Sequence, residues 1–260
     1  MRNSIELKID NKVAHIKLNR PEVFNSFNRE MALQLQNTLD DCETNKKVRA
    51  IVITGSGKAF CAGQDLKEVT DPDLNPGFKK ILEEHYNPII KRIRSIKKPI
   101  IGAINGVAAG AGANIALACD VVVAHEKASF IQAFSLIGLI PDSSGTYFLP
   151  RLIGFQKALA LAMLGDKISA EEAERLGMIY KVIPFKNFEE EVNKLALKMA
   201  NMPTKALGLI KELFNQSMTN NLETQLALES KLQIEASKSE DYAEGVEAFI
   251  EKRKPTFKGN

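Results

Sequence analysis

Polar and apolar residues alternate with a period of two over Ile5 to Ile9 and again over Val13 to Leu18, with the turn pair Asp10-Asn11 between them. Such alternation gives a strand one buried and one solvated face, so the two runs predict a β-hairpin at the start of the chain. After the loop Asn19 to Ser26, apolar positions Met31, Leu33, Leu35 and Leu39 predict an amphipathic helix. Strand-like and helix-like stretches then take turns. A strand is expected over Ala50 to Thr54, a helix from about Gly77 to Ile96, a strand over Ile100 to Ile104, a helix after Gly110, and a strand over Val121 to Ala124. This order predicts an α/β fold with strands joined by right-handed crossovers.

The later part of the chain reads differently. Ser169-Ala-Glu-Glu172 has the spacing of a capping box and opens a helix that stops at Gly177. Beyond Pro184 the pattern is helical only, over Phe188 to Asn201, Thr204 to Ser217, Leu222 to Ala236 and Asp241 to Lys252. No internal repeat or low-complexity tract is visible. The expected organisation is a core over residues 1–195 and a helical segment over 196–260 that covers a neighbour or mediates assembly.

With 260 residues, 45% hydrophobic and 26% charged, the chain can bury one substantial core. Its net charge of +3, with both signs interspersed, leaves no basic stripe for nucleic acid or an anionic membrane. Met1 to Asp10 lacks the apolar stretch of a signal peptide, and no run of about 18 apolar residues is free of charge. A soluble, cytoplasmic protein is expected. Cys42, Cys61 and Cys119 are scattered without CxxC spacing, which predicts buried free thiols rather than disulfides or a zinc site. His15, His85 and His125 are equally isolated, arguing against a metal centre and against a Ser-His-Asp triad.

Two glycine-rich segments each follow a predicted strand: Ile51 to Asp65 and Asn105 to Asn114. Gly55-Ser-Gly-Lys58 imitates a phosphate loop, but Ala59 stands where Ser or Thr is needed and the glycine spacing is too short. The second segment lacks the third glycine of a dinucleotide fingerprint. Either alone fits a tight turn with close packing. Either could also offer backbone amides to an anion, the second at a helix start.

The pair AFCAGQDL and NGVAAGAGAN, followed by Cys119-Asp120, resembles the two oxyanion-hole loops of the crotonase (enoyl-CoA hydratase/isomerase) superfamily. The resemblance continues through GLIPDSSGTYFLPRLIG, SAEEAERLGMI and EGVEAFIEKRKPTFKG, so it spans essentially the whole chain. It implies a ββα superhelix core that binds an acyl-CoA thioester, and a C-terminal helical segment that assembles the chain into a trimer or dimer of trimers. Coenzyme A would be part of the substrate, with no separate cofactor and no metal. The backbone amides of Gln64 and Ala111 would bind the thioester oxygen, where proton removal next to the carbonyl leaves negative charge. On this reading the side chains at these two positions matter less than the backbone shape. Ala62, Asp65 and Leu66 beside the first loop, and Phe249 and Lys252 on the last helix, would contact the coenzyme. The last two equally fit an amphipathic helix with a solvated lysine.

Hydratases of the family carry two glutamates, and this chain has Asn114 and Phe134 in their places, lining the expected substrate pocket with Phe130. Adding water needs one group to activate it and another to deliver a proton, so losing both acids argues against hydration. A hydratase and a non-catalytic acyl-CoA-binding scaffold are the alternatives. One acid remains, Asp142 in Gly138-Leu-Ile-Pro-Asp-Ser-Ser-Gly145. It could cap the next helix. Alternatively, Phe130, Phe134, Ile137, Ile140 and Phe148 would desolvate it and raise its pKa, as suits a base. The dehalogenase branch of the family uses a tryptophan, which this chain lacks, and dienoyl-CoA isomerases pair the aspartate with a glutamate at the place of Phe134. Through AFSLIGLIPDSSGT, LETQLALE and DYAEGVEAF the chain is most similar to the branch that isomerises ring 1,2-epoxyphenylacetyl-CoA in phenylacetate catabolism. That resemblance implies a single-aspartate isomerase. It would convert 3-enoyl-CoA to 2-enoyl-CoA, or the ring epoxide to oxepin-CoA, or both.

Overall fold

The hairpin forms where the alternation puts it, β1 (Ile5–Asp10) antiparallel to β2 (Val13–Leu18), in a computed structural model that describes residues 3–260. Its turn lies one residue later than expected. Asp10 still pairs with Val13, while Asn11 and Lys12 take φ of 46° and 69°, the hand that lets a two-residue turn follow the strand twist.

After the helix Arg29–Thr44 come β3 (Ala50–Gly55), β4 (Ala59–Cys61), β5 (Ile100–Ile104), β6 (Val107–Ala109), β7 (Val121–His125), β8 (Ser129–Ile131), β9 (Lys167–Ser169) and β10 (Lys181–Ile183). They build a six-stranded sheet, β1-β2-β3-β5-β7-β10, and a four-stranded sheet, β4-β6-β8-β9. The pairs β3/β4, β5/β6 and β7/β8 each send one strand to each sheet, and a helical stretch then returns the chain for the next turn. This is the ββα superhelix, with β2 to β10 parallel across the larger sheet. The turns stack so closely that a Cβ on Gly106 would collide with the Lys58 carbonyl, and one on Gly55 with that of Ala59. Close backbone approach, not phosphate binding, explains glycine at these positions.

One apolar core fills the space between sheets and helices, with Leu18, Ile53, Phe60, Ile104 and Phe130 at its centre. A second lies on the outer face of the large sheet, where Val52, Ile101 and Val123 meet Val192, Ala196 and Ala200 of the helix Phe188–Ala200. The expected boundary between residues 195 and 196 therefore falls inside a helix that closes the sheet's own core. β5, buried along its full length, shows the continuous apolar run of a covered parallel strand.

The stretch expected as one helix from Gly77 to Ile96 is helical in three parts, Phe78–Lys80, a π turn over Ile81–Tyr86, and Asn87–Ser95. Pro88 is the physical reason, because it has no amide to give to the Glu84 carbonyl. The Asn87 amide instead reaches back to Leu82, and the Gln36 side chain donates to the carbonyls of Glu84 and His85 at 2.7 and 3.2 Å. Ser169 accepts from the Glu172 amide at 3.1 Å, but Glu172 turns to Arg175, so only half of the capping box forms.

The C-terminal helices are Thr204–Ser217, Leu222–Ala236 and Glu240–Ile250. Lys211 ties them to the core. Its Nζ donates to Asp120 at 2.8 Å, and Asp120 also accepts from Arg94 at 3.1 Å and from the Ile100 amide at 2.8 Å. Leu222, Leu226 and Ile234 are exposed, and only Leu232 of their helix is buried. The three cysteines are free and buried, and burial pushes the Cys61 thiol up to about 12. Among the described residues no helix is long and apolar enough to cross a membrane, and no cluster of three His, Cys, Asp or Glu side chains is arranged to hold a metal.

Candidate active site

The first glycine-rich loop is laced to the segment before the helix Arg29–Thr44. The Phe27 amide donates to Gly63 at 2.7 Å, the Asp65 amide to Phe27 at 2.8 Å, and the Ala62 amide to Phe24 at 3.0 Å. Gly63 takes φ +95°, and a Cβ there would lie 3.0 Å from the Ala109 carbonyl oxygen and 3.5 Å from the Ala111 amide nitrogen. The second loop is held from the other side, its Gly110 amide donating to Ile131 at 2.9 Å, and the helix Ala111–Leu117 starts at once. The two loops thus meet at Gly63 and Ala111. Among the described residues, neither the Gln64 nor the Ala111 amide donates to another group of the chain. Two free amides side by side, one at a helix N-terminus, can hold an oxyanion.

Asp142 lies on the loop after β8. Burial lifts its carboxyl above the ordinary aspartate range, partly offset by the Ser143 hydroxyl, which donates to Oδ1 at 2.8 Å. Its carboxylate caps no helix: Gly145–Ile153 starts after Ser144, which sits in the left-handed region and offers no side-chain cap. Of the five residues expected to enclose it, three are buried and two are not. Phe130, Phe134 and Phe148 are buried, whereas Ile137 and Ile140 are 60% and 82% exposed, because they lie on a surface turn. Phe134 stands against the second loop, its ring 3.8 Å from where a Cβ on Gly110 would be, and Phe130 belongs to the main core.

Asn114 has both ends of its carboxamide engaged. Nδ2 donates to the Asp142 carbonyl at 2.9 Å, and Oδ1 accepts from Gln132 at 2.8 Å. Gly145 lies so close that a Cβ there would collide with the amide. The residue expected in the place of a hydratase glutamate therefore clamps the backbone of the candidate acid Asp142. Asn114→Asp keeps the shape but removes the donor and sets a carboxyl in a buried position, and should cost about 1–3 kcal/mol even though the Asp142 carbonyl still accepts from the Gly145 amide at 2.8 Å. Urea unfolding at neutral pH measures it, and an unchanged midpoint would refute the clamp.

The expected coenzyme contacts are not brought together by hydrogen bonding. Ala62 and Leu66 are exposed, but the Asp65 carboxylate is committed, pairing with Arg20 at 2.8 Å and capping the short helix Leu66–Thr70 through the Lys67 amide at 3.0 Å. Phe249 is 84% exposed at the end of the last helix and Lys252 follows it with φ +56°. Among the described residues, neither makes a hydrogen bond or ion pair to the 62–66 loop. An apolar cavity of about 110 Å³ opens next to the Asp142 loop, between Gln132, Pro141, Gly145, Leu149 and Phe155. A larger groove of about 610 Å³ between the helices Thr204–Ser217 and Leu222–Ala236 contains none of the candidate residues.

Groups that the sequence did not reveal also reach the site. The Tyr86 hydroxyl donates to Gln64 Oε1 at 2.9 Å, and Gln64 Nε2 donates to Glu68 at 2.8 Å. The Gln64 side chain is thus held at both ends, at a position where the expectation gave the side chain less weight than the backbone shape. Pro88, inside an apparently regular helix, was the one sequence signal of the irregular turn that presents Tyr86.

The sequence profile described as Enoyl-CoA hydratase/isomerase matches residues 8–260. The chain is 46% identical over 253 residues to the 1,2-epoxyphenylacetyl-CoA isomerase of Escherichia coli, covering 96% of this chain and 97% of that one. It is 44% identical over 257 residues to a Rhodobacter capsulatus protein named "Probable enoyl-CoA hydratase", covering 99% and 98%. Among solved structures, the enoyl-CoA hydratase of Bacillus anthracis superposes with a TM-score of 0.92 at 34% identity, covering 99% of this chain and 100% of that one.

Proposed function

Because the chain belongs to the enoyl-CoA hydratase/isomerase family, we propose that it is an acyl-CoA isomerase with Asp142 as its single acid–base group. One observation carries this reading: where a hydratase has two glutamates, Asn114 is hydrogen-bonded at both ends and Phe134 is apolar. The nearby acids Asp65 and Glu68 are tied to other partners, Asp65 to Arg20 and Glu68 to the Arg29 amide and Gln64. That leaves Asp142, desolvated and, among the described residues, bonded by the neighbouring hydroxyl and its own backbone amide, for proton transfer.

In this mechanism Asp142 takes a proton from carbon 2 of a 3-enoyl thioester, and the Gln64 and Ala111 amides hold the charge that builds on the thioester oxygen. The same carboxyl then returns the proton to carbon 4, which gives the conjugated 2-enoyl thioester. With a ring 1,2-epoxide of phenylacetyl-CoA, the same enolate would open the ring to oxepin-CoA. The similarity to an isomerase that acts on that epoxide supports the second substrate. Ala62, Asp65 (through its main chain), Leu66, Phe249 and Lys252 would bind the coenzyme. The exposed apolar residues of the helix Leu222–Ala236 support assembly through the segment 196–260 into a trimer or dimer of trimers. The similarity to a protein named as a hydratase favours water addition as the second reading. Mixing the protein with a 3-enoyl-CoA and following the absorbance of the conjugated product tests the proposal. A thioester that binds but stays unconverted would contradict it.

A further inference from the structure

The two candidate oxyanion amides are anchored unequally. Ala111 starts a helix and the residues after it are buried throughout. Gln64 instead follows Gly63, which has no side chain to anchor it, and precedes a helix of only five residues. The Phe27 amide holds the Gly63 carbonyl of the same peptide unit at 2.7 Å, and the Gln64 side chain gives its N–H a second anchor.

Resting on the oxyanion reading above, we propose that Tyr86, the Gln64 side chain and Glu68 form a positioning relay that aims the Gln64 amide at the thioester oxygen. Every link is a buried or half-buried hydrogen bond. Tyr86 donates to Gln64 Oε1 at 2.9 Å, Gln64 Nε2 donates to Glu68 Oε2 at 2.8 Å, and Glu68 Oε1 accepts from the Arg29 amide at 2.7 Å. The chain of bonds ends at the first residue of the helix Arg29–Thr44, a rigid element of the core. The direction of the relay is fixed by chemistry. The Gln64 amide group faces Glu68 with its NH₂, which only donates, and Tyr86 with its oxygen, which only accepts. Burial raises the Tyr86 hydroxyl well above its ordinary value, so it remains a donor.

The fold is arranged around Tyr86. Its fully buried ring meets Phe27 edge-on, with centroids 5.9 Å apart, and Phe27 is the residue that bridges to Gln64. Tyr86 ends the π turn, a rare conformation that is frequent at functional sites and that Gln36 supports here by donating to the Glu84 and His85 carbonyls. Tyr86 and Glu68 are thus positioning residues, acting on the amide through Gln64. A loop error of well under an ångström at an oxyanion donor is felt in the rate rather than in substrate binding.

The test compares wild type with Tyr86→Phe, Gln64→Ala and the double variant. Turnover of a 3-enoyl-CoA and the near-ultraviolet enolate band of bound acetoacetyl-CoA are measured on each. Tyr86→Phe keeps the packing and should lower kcat about tenfold, with KM changed less than about twofold and a weakened band. Gln64→Ala cuts the same chain at a half-buried position, so it serves even if the tyrosine variant folds poorly. The double variant should be no worse than the more damaging single one. Additive losses, or wild-type kcat and band in Tyr86→Phe and Gln64→Ala, would overturn the relay alone. A wild-type protein that gives no enolate band would overturn both the relay and the oxyanion reading it rests on.

Discussion

Asp142→Asn is expected to lower isomerisation by about two to four orders of magnitude while thioester binding is largely retained. The variant keeps the size of the side chain and its bond to Ser143, but it can no longer take a proton. The backbone clamp from Asn114 to the residue-142 carbonyl is untouched by the change. Burial gives this test a second signature. The Asp142 carboxyl titrates above the ordinary aspartate range, so the acid limb of kcat/KM in wild type should lie above that range too. The same shift has a sign for stability. A carboxyl whose folded pKa is raised favours the folded state only at low pH, and that contribution is lost as pH rises through the folded value. Asp142→Asn should therefore be at least as stable as wild type at neutral pH, a residue kept for chemistry at some cost in stability. Near-normal turnover in the folded variant would remove Asp142 from the reaction.

Ala111→Pro is expected to cut turnover by about two orders of magnitude or more, because it deletes one of the two free amides and nothing else of the donor set. The substitution suits the fold, since Ala111 is the first residue of its helix, where proline is well tolerated and the amide has no partner within the helix. Circular dichroism identifies a folded variant, and steady-state turnover then reads the effect. A folded protein with unchanged turnover would show that the Ala111 amide does not touch the reacting oxygen.

Long-range order was legible in the sequence wherever a periodic pattern was long enough. The alternation of β1 and β2, the apolar run of β5 and the C-terminal helices all formed close to their expected bounds. The second sheet was not read, because β4, β6, β8 and β9 have three residues each and cannot display a period. The superhelical repeat likewise lies in strand pairing, not in repeated residues. At the site, the glycine loops and Asp142 stood out through their residue types. The Asn114 bond to the Asp142 carbonyl and the Tyr86–Gln64–Glu68 chain did not, since side-chain bonds across 28 and 22 positions leave no local pattern. Desolvation of Asp142 was expected from five apolar neighbours, two of which face solvent because their segment turns outward.

On the proposed function Asn114 and Phe134 stand where a hydratase would need two acids, so the rates of both reactions in one preparation bear most directly on the assignment. Conversion of a 3-enoyl-CoA should be much faster than addition of water to crotonyl-CoA under the same conditions. Hydration as fast as isomerisation, or faster, would contradict a single-aspartate isomerase.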